Sequence, residues 1–258
     1  MERLVGSQKT GITTVGLRNW GMLFVICGIL SRGILQNRML GMAGATNGQL
    51  METMMNNPDA FGIATLALVL QAMESCAVPV FCYLLVDGFL HTGDYVKYLT
   101  RMLITAAVSE IPYNLAIDGK LIAMSSRNPM FGLVLCLIML NLFRQYEAKG
   151  MKNTAIKICV FLAALVWANM LKIQDASCCV LVSAVLWLVR NNQNYRTLIG
   201  CSASVGCMLF SPFYVAAPMG FMAIHFYNGE KGEESRVMRY AMYPVILAII
   251  AAAGFFLY

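Results

Sequence analysis

Apolar runs of membrane-spanning length recur along this chain, joined by short polar links, and that alternation excludes most folds before any single residue is considered. The runs are read at about 17–36, 63–90, 96–117, 128–145, 154–172, 175–190, 197–211, 213–227 and 239–257. A helix needs about 20 mainly apolar residues to cross a hydrocarbon core. Only 12% of the residues are charged and 59% are hydrophobic, whereas a soluble domain carries about 25% charged residues. The expectation is an all-α, polytopic transmembrane helix bundle of about eight to nine spans, one integral membrane domain over residues 1–258, with the lipid bilayer as its main partner. The polar lead over residues 1–19 is long and no small-residue cleavage site follows the first apolar run, so the first helix is expected to stay as an anchor.

The basic residues set the orientation. With the N-terminus cytoplasmic, the cytoplasmic segments hold Arg3, Lys9, Arg18, Lys97, Arg101, Arg144, Lys149, Lys152, Lys157, Arg190, Arg196, Lys231, Arg236 and Arg239. The other side holds only Arg32, Arg38, Lys120, Arg127 and Lys172. Cytoplasmic loops of membrane proteins carry the excess of Lys and Arg, so the bias places the N-terminus inside. The net charge of +6 is explained by this topology and needs no nucleic-acid partner. The link at Ser211-Pro212 separates either two short spans or a re-entrant pair. Pro79, near the middle of the second run, predicts a kink there. The nine cysteines fall in apolar spans without a C-x-x-C pair, which argues against disulfides and against a metal site.

Ionisable side chains are costly inside a bilayer and mark functional sites by default. They concentrate between Val86 and Ala116. Asp87 lies one helical turn before His91, so a persisting helix puts the carboxylate beside the imidazole, the arrangement of a general base with its orienting group. Lys97 and Arg101 share the next helix face, where Arg101 can meet a phosphate or carboxylate through two hydrogen bonds; both could instead snorkel toward lipid headgroups. Deeper in that span, Ser109-Glu110-Ile111-Pro112-Tyr113-Asn114 places Glu110 and Asn114 on one face beside a proline bend. Glu110 reads either as a substrate or proton site or as the buried partner of Arg32 or Arg127. Asn128 before Pro129 reads as helix capping, and Glu74, isolated in the second run, reads as structural. His225, Asn228 and Lys231 belong to His225-Phe226-Tyr227-Asn228-Gly229-Glu230-Lys231-Gly232, which is either a loop closing over a donor or a helix exit with a tight turn. Motifs for ATP hydrolysis, dinucleotide binding and zinc proteolysis are absent.

Two parts of the chain resemble a known family. Asp87-Gly88-Phe89-Leu90-His91-Thr92, followed by Tyr98, Arg101 and Ser109-Glu110-Ile111-Pro112-Tyr113, is similar to the central pattern of the TraX family. Tyr227-Asn228-Gly229-Glu230-Lys231-Gly232 and Tyr243-Pro244 resemble its C-terminal elements. The resemblance implies a multispanning inner-membrane protein related to membrane acyltransferases, with acetyl-CoA as donor substrate approaching from the cytoplasm and no metal; the family's named member N-acetylates pilin subunits for conjugation. It implies His91 as base or donor-site residue, Arg101 as a contact to CoA phosphate or a holder of Glu110, and Glu110 with Asn114 as shapers of the acceptor site. Arg127 is a further candidate for substrate contact. The chain departs from the family where an Asp-His pair is common in the first span, reading Met22-Leu23-Phe24-Val25-Ile26-Cys27-Gly28, and where a histidine often follows Tyr-Pro, reading Tyr243-Pro244-Val245-Ile246.

Three functions are compatible with this sequence. The first is an acetyl-CoA-dependent acyltransferase acting on an amine or hydroxyl of a peptide, lipid or glycan. The second is a non-catalytic relative serving assembly or interaction, in keeping with the absent histidines. The third is a proton-coupled or small-solute transporter using Glu74, Asp87 and Glu110, against which stands the lack of repeated halves.

Overall fold

A computed structural model describes residues 11–123, 125–191, 193–233 and 235–256. The described residues are helical, with no strand and only two isolated bridges, Ile12 with Tyr227 and Arg127 with Ile173. Arg3 and Lys9, which enter the charge count, lie outside them.

Helix α1 (Thr14–Ile29) starts at Thr13, whose hydroxyl accepts from the Gly16 N–H, and continues as a π-wound segment over Leu30–Met39. The looser winding is tied to its neighbours by polar side chains. Ser31 Oγ donates to the Ala67 carbonyl at 2.7 Å, and Asn37 Nδ2 to the Ile117 carbonyl at 2.7 Å. A short helix α2 (Asn47–Asn56) with a capping box at Thr46 and Gln49 follows. The second apolar run is two helices, α3 (Phe61–Glu74) and α4 (Ala77–Leu90). The break falls at Ser75-Cys76, ahead of the expected position at Pro79. Pro79 sits in the first turn of α4, where a missing N–H disturbs nothing, so the helix restarts just before it.

Helix α5 (Tyr95–Asp118) opens on the Asp94 side chain, which accepts from the Lys97 N–H, and closes on Gly119 in the left-handed region. Then come α6 (Met130–Gln145), α7 (Met151–Met170), α8 (Ala176–Leu188) and α9 (Gln193–Gly206). A 3-10 segment (Pro212–Met219) leads into α10 (Gly220–His225), and α11 (Arg236–Phe256) packs along α5. The core lies between α4, α6 and α8, where Val80, Val86, Phe89, Leu137, Leu140 and Leu186 are fully buried. By contrast α7 exposes Ile158, Leu162, Val166 and Trp167, an apolar face of the kind that meets lipid.

Among the described residues, four helices are long and apolar enough to cross a membrane: Thr14–Met39, Phe61–Leu90, Met151–Met170 and Val237–Gly254. Met130–Gln145 and Ala176–Leu188 are apolar but shorter. Helix α9 is 14 residues long, which at 1.5 Å per residue reaches only roughly 21 Å, and it meets the 3-10 segment at the Ser211 break.

The cysteines correct the sequence-based expectation. Cys178 at the start of α8 and Cys207 just past the end of α9 form a disulfide with Cα atoms 5.4 Å apart. Their separation of 29 residues matches no motif; the pairing follows from α9 returning alongside α8. Cys179, its sequence neighbour, remains a buried free thiol.

Candidate functional site: two cavities that meet at Glu74 and Asp175

A cavity of about 870 Å³ opens at the end of the bundle where α4 stops and α5 begins. Its rim is built by the densest polar stretch of the sequence. His91 closes α4, its N–H donating to the Asp87 carbonyl at 3.2 Å. The ring Nδ1 lies 2.8 Å from the same carbonyl oxygen and 3.7 Å from the Asp87 carboxylate. That contact favours the tautomer with hydrogen on Nδ1 and leaves Nε2 as an acceptor. The His91 side chain is 69% exposed, so it stands at the entrance and not in the interior.

The residues around His91 have separate positioning roles. Gly88 lets Tyr98 reach α4: a methyl group there would lie 3.1 Å from the Tyr98 hydroxyl. Phe89 points the other way, into the core, against the Trp187 ring at 5.5 Å and beneath the Arg144 guanidinium at 4.5 Å. Lys97 pairs with Asp94 at 3.0 Å. The Lys97 N–H and ammonium hold the Asp94 carboxyl below its ordinary value. Arg101 lines the cavity one turn further on and has no carboxylate partner among the described residues.

The third wall is the Tyr227–Gly232 turn, stitched to the start of the described chain. Ile12 N–H donates to the Phe226 carbonyl at 2.8 Å, Asn228 N–H to the Ile12 carbonyl at 3.0 Å, and Thr14 N–H to the Glu230 carbonyl at 2.8 Å. Gly229 and Gly232 take φ of 82° and 72°, which glycine adopts without strain. The turn delivers Lys231 to the rim, where Arg18 and Arg239 also stand. Asn228 shapes the turn, accepting from the Glu230 N–H at 2.9 Å, and does not line the cavity. His225 is exposed beside Phe226 and lies outside it. Below the rim the walls turn apolar and aromatic, with Phe81, Leu84, Met102, Tyr240 and Tyr243.

The deep end of this cavity is polar again. Glu74 and Asp175 line it, and both also line a second cavity of about 500 Å³. Glu74 is buried and ion-paired with Arg32. The pairing needs Gly28, because a methyl group there would fall 1.9 Å from the Glu74 carboxyl carbon. Asp175 accepts from the Tyr214 hydroxyl and, at 3.1 Å, from Gln174 Nε2. From Glu74 to His91 the chain runs almost wholly as α4, which puts the junction roughly 25 Å below the rim.

The structure divides the expected cluster into two groups. His91, Asp87, Lys97, Arg101 and Lys231 share the rim. Glu110, Asn114 and Arg127 line neither cavity. Glu110 lies 3.5 Å from Arg127 and accepts from the Asn128 N–H at 3.3 Å. Asn114 Nδ2 donates to the Leu121 carbonyl at 3.4 Å, holding the loop after α5. The physical reason is length: from Lys97 to Glu110 the α5 helix rises roughly 20 Å. Sequence reasoning underweighted Glu74 and passed over Arg32 as its partner, and Asp175, Gln71 and Tyr214 altogether. An isolated carboxylate at the centre of a 30-residue apolar run was itself a usable signal.

Comparison with known proteins shows the family. The model of the TraX protein family matches residues 54–253, well over half of the chain. The chain belongs to the TraX family. The TraX match takes in α3 to most of α11, hence both carboxylates of the junction and every rim residue except those of α1. A probable fimbrial assembly protein, FimC of serogroup H1 from Dichelobacter nodosus, is 25% identical over 203 residues, covering 70% of this chain and 80% of that protein. No solved structure matches.

Proposed function

We propose that this TraX-family protein is a multi-pass protein of the cytoplasmic membrane that transfers an acetyl group from acetyl-CoA, with the donor entering through the larger cavity. The observation that carries the reading is the order of chemistry along that cavity. A rim holding Lys97, Arg101, Lys231, Arg18 and Arg239 suits a phosphorylated head, the apolar and aromatic throat suits an uncharged arm, and the Glu74 and Asp175 carboxylates wait roughly 25 Å down. Guanidinium and ammonium groups against phosphate are the strong class of hydrogen bond. The rim belongs to the side of the chain that carries the excess of Lys and Arg, which makes it cytoplasmic by the charge rule, where acetyl-CoA is available. His91, with its Nδ1 against Asp87 and Nε2 facing the rim, serves the donor's head in this reading.

The acceptor proposed from the family is an amine or hydroxyl on a peptide, lipid or glycan, and the name of the fimbrial assembly relative favours a pilin-like peptide. A second reading, a non-catalytic assembly factor, is favoured by Val25-Ile26 and Val245-Ile246, where the family often carries Asp-His and histidine.

Calorimetry of acetyl-CoA against the purified protein in nanodiscs separates the two. The acetyltransferase reading expects saturable binding that weakens about tenfold in Arg101→Ala, equivalent to about 1.4 kcal/mol. Folded protein that binds nothing at millimolar acetyl-CoA would leave the assembly factor as the function.

A further inference from the structure

We propose that the second cavity is the acceptor's entrance, opening at the end of the bundle opposite His91, and that Asp175, Gln71 and Glu74 receive the acceptor's amine there. The inference rests on the larger cavity being the donor's, and it adds a binding site, a direction of approach and the groups that handle the proton.

The path follows from the fold. Helix α5 leaves the rim at Asp94, and the loop after its far end carries Ser125; α7 ends at Met170, ahead of Lys172. The Arg127 N–H donates to the Lys172 carbonyl at 2.9 Å and the Gln174 N–H to the Arg127 carbonyl at 3.0 Å, so these two loops form one surface. Ser125, Asn47 and Lys172 line the second cavity there. Its walls carry hydroxyls and amides, among them Thr46, Asn169 and Ser177, beside Ile173, Phe210 and Phe213. Such a lining suits the main chain of a polar peptide better than an acyl chain.

Its inner end holds an unsatisfied acceptor. Gln71 is only 9% exposed and lines this cavity, yet its Oε1 accepts no hydrogen bond from the protein. A buried acceptor in that condition is destabilising, and a ligand N–H would satisfy it. Asp175 is held at φ 57°, in the left-handed region, and its Oδ1 takes both protein hydrogen bonds, leaving Oδ2 for another donor. Glu74 stands at the same junction with Arg32 setting its orientation. An ammonium offers three N–H donors and one positive charge to two carboxylates and one amide oxygen.

The chemistry balances. The ammonium gives one proton to the Asp175 carboxylate, and the freed nitrogen lone pair attacks the thioester carbonyl of acetyl-CoA. The C–N bond forms, the C–S bond breaks, and the sulfur leaves as thiolate. Of the two protons the nitrogen loses, one ends on the CoA thiol and one in solution; the products are the N-acetylated acceptor and CoA. Donor and acceptor reach the junction from opposite faces, so neither has to pass the other.

The test is binding of a fluorescent hydrophilic tripeptide with a free N-terminus to the full chain in nanodiscs without acetyl-CoA, beside the same peptide N-acetylated. The expected result is at least tenfold tighter binding of the free amine. That preference is lost in Asp175→Asn and in Gln71→Leu and kept in Arg101→Ala. Asn47→Trp, which narrows the entrance without touching a carboxylate, weakens the peptide and leaves acetyl-CoA affinity within twofold. Equal binding of the two peptides, or a preference unchanged in Asp175→Asn protein that still melts cooperatively, overturns the proposal. Acetyl-CoA failing to bind while the peptide preference stands would remove the donor reading alone.

Discussion

The rim and the junction of the larger cavity are built in opposite ways. The rim is nearly a local object: Asp87, His91, Asp94, Lys97 and Arg101 come from fifteen consecutive residues, they are half-buried or exposed, and Asp87 pairs with His91 and Asp94 with Lys97 within one helix or turn. The junction draws Arg32, Gln71, Glu74, Asp175 and Tyr214 from the π-wound segment, α3, the loop before α8 and the 3-10 segment. Charges in water at the rim interact weakly and can be changed singly. At the junction the Arg32–Glu74 pair is largely out of water and stands only as a set. The rim is therefore suited to binding, and the junction to chemistry that needs fixed, dry groups.

The largest test of that difference is the Arg32–Glu74 pair. Arg32→Ala or Glu74→Ala leaves a buried charge without its partner, which costs about 3–5 kcal/mol, and either variant is expected to melt well below the parent in detergent. Replacing both by apolar residues of similar volume should restore much of the loss. Single variants melting with the parent would mean that the junction is as wet as the rim.

The disulfide comes next. Cys178–Cys207 ties α8, whose first turn follows Asp175, to α9, and closing a loop of this size contributes about 2–4 kcal/mol. Thiol titration of denatured protein should find seven free cysteines before reduction and nine after it, with a lower melting temperature in reductant. Nine free thiols in both would remove the bridge from the description of α8.

Gly28→Ala sharpens the packing side of the comparison. The new methyl group meets the Glu74 carboxyl, and overpacking of this kind costs about 1–3 kcal/mol. The same substitution at Gly93, beside the rim with nothing within 4 Å, should be nearly silent in a thermal melt.

At the rim itself the smallest effects are expected. Asp94→Ala removes a helix cap, and the melting shift should be smaller than that of Gly28→Ala. Because Lys97 holds the Asp94 carboxyl below its ordinary value, the cap contributes fully above the ordinary carboxylate range and is lost as pH falls through the lowered value. A parent melting curve that responds to acid identically to that of Asp94→Ala would remove the cap as a contributor.

Much of the fold was legible in the sequence. Apolar run lengths located the helices and the break at Ser211-Pro212, except that the second run breaks at Ser75-Cys76 and the run at 213–227 is a 3-10 segment followed by α10. Hydropathy averages over a window and does not see a one-residue interruption of the backbone ladder. The rim was legible because helix periodicity alone puts Asp87 with His91 and Lys97 with Arg101. Glu110 was legible as an ionisable residue with Arg32 or Arg127 as its buried partner; that Arg127 is the one depends on where the loop before α6 crosses α5.

What the sequence determined by itself was the all-helical membrane class, the polar rim and the resemblance to the TraX family, because each is written in neighbouring residues or in composition. Only the tertiary structure decided that Glu74 pairs with Arg32, that Asp175 joins it from a loop a hundred residues away, and that two cavities meet between them. Those contacts depend on helices that approach only after the chain has folded, through close passages such as the one at Gly28. No local rule of spacing encodes which distant charge will be on the other side.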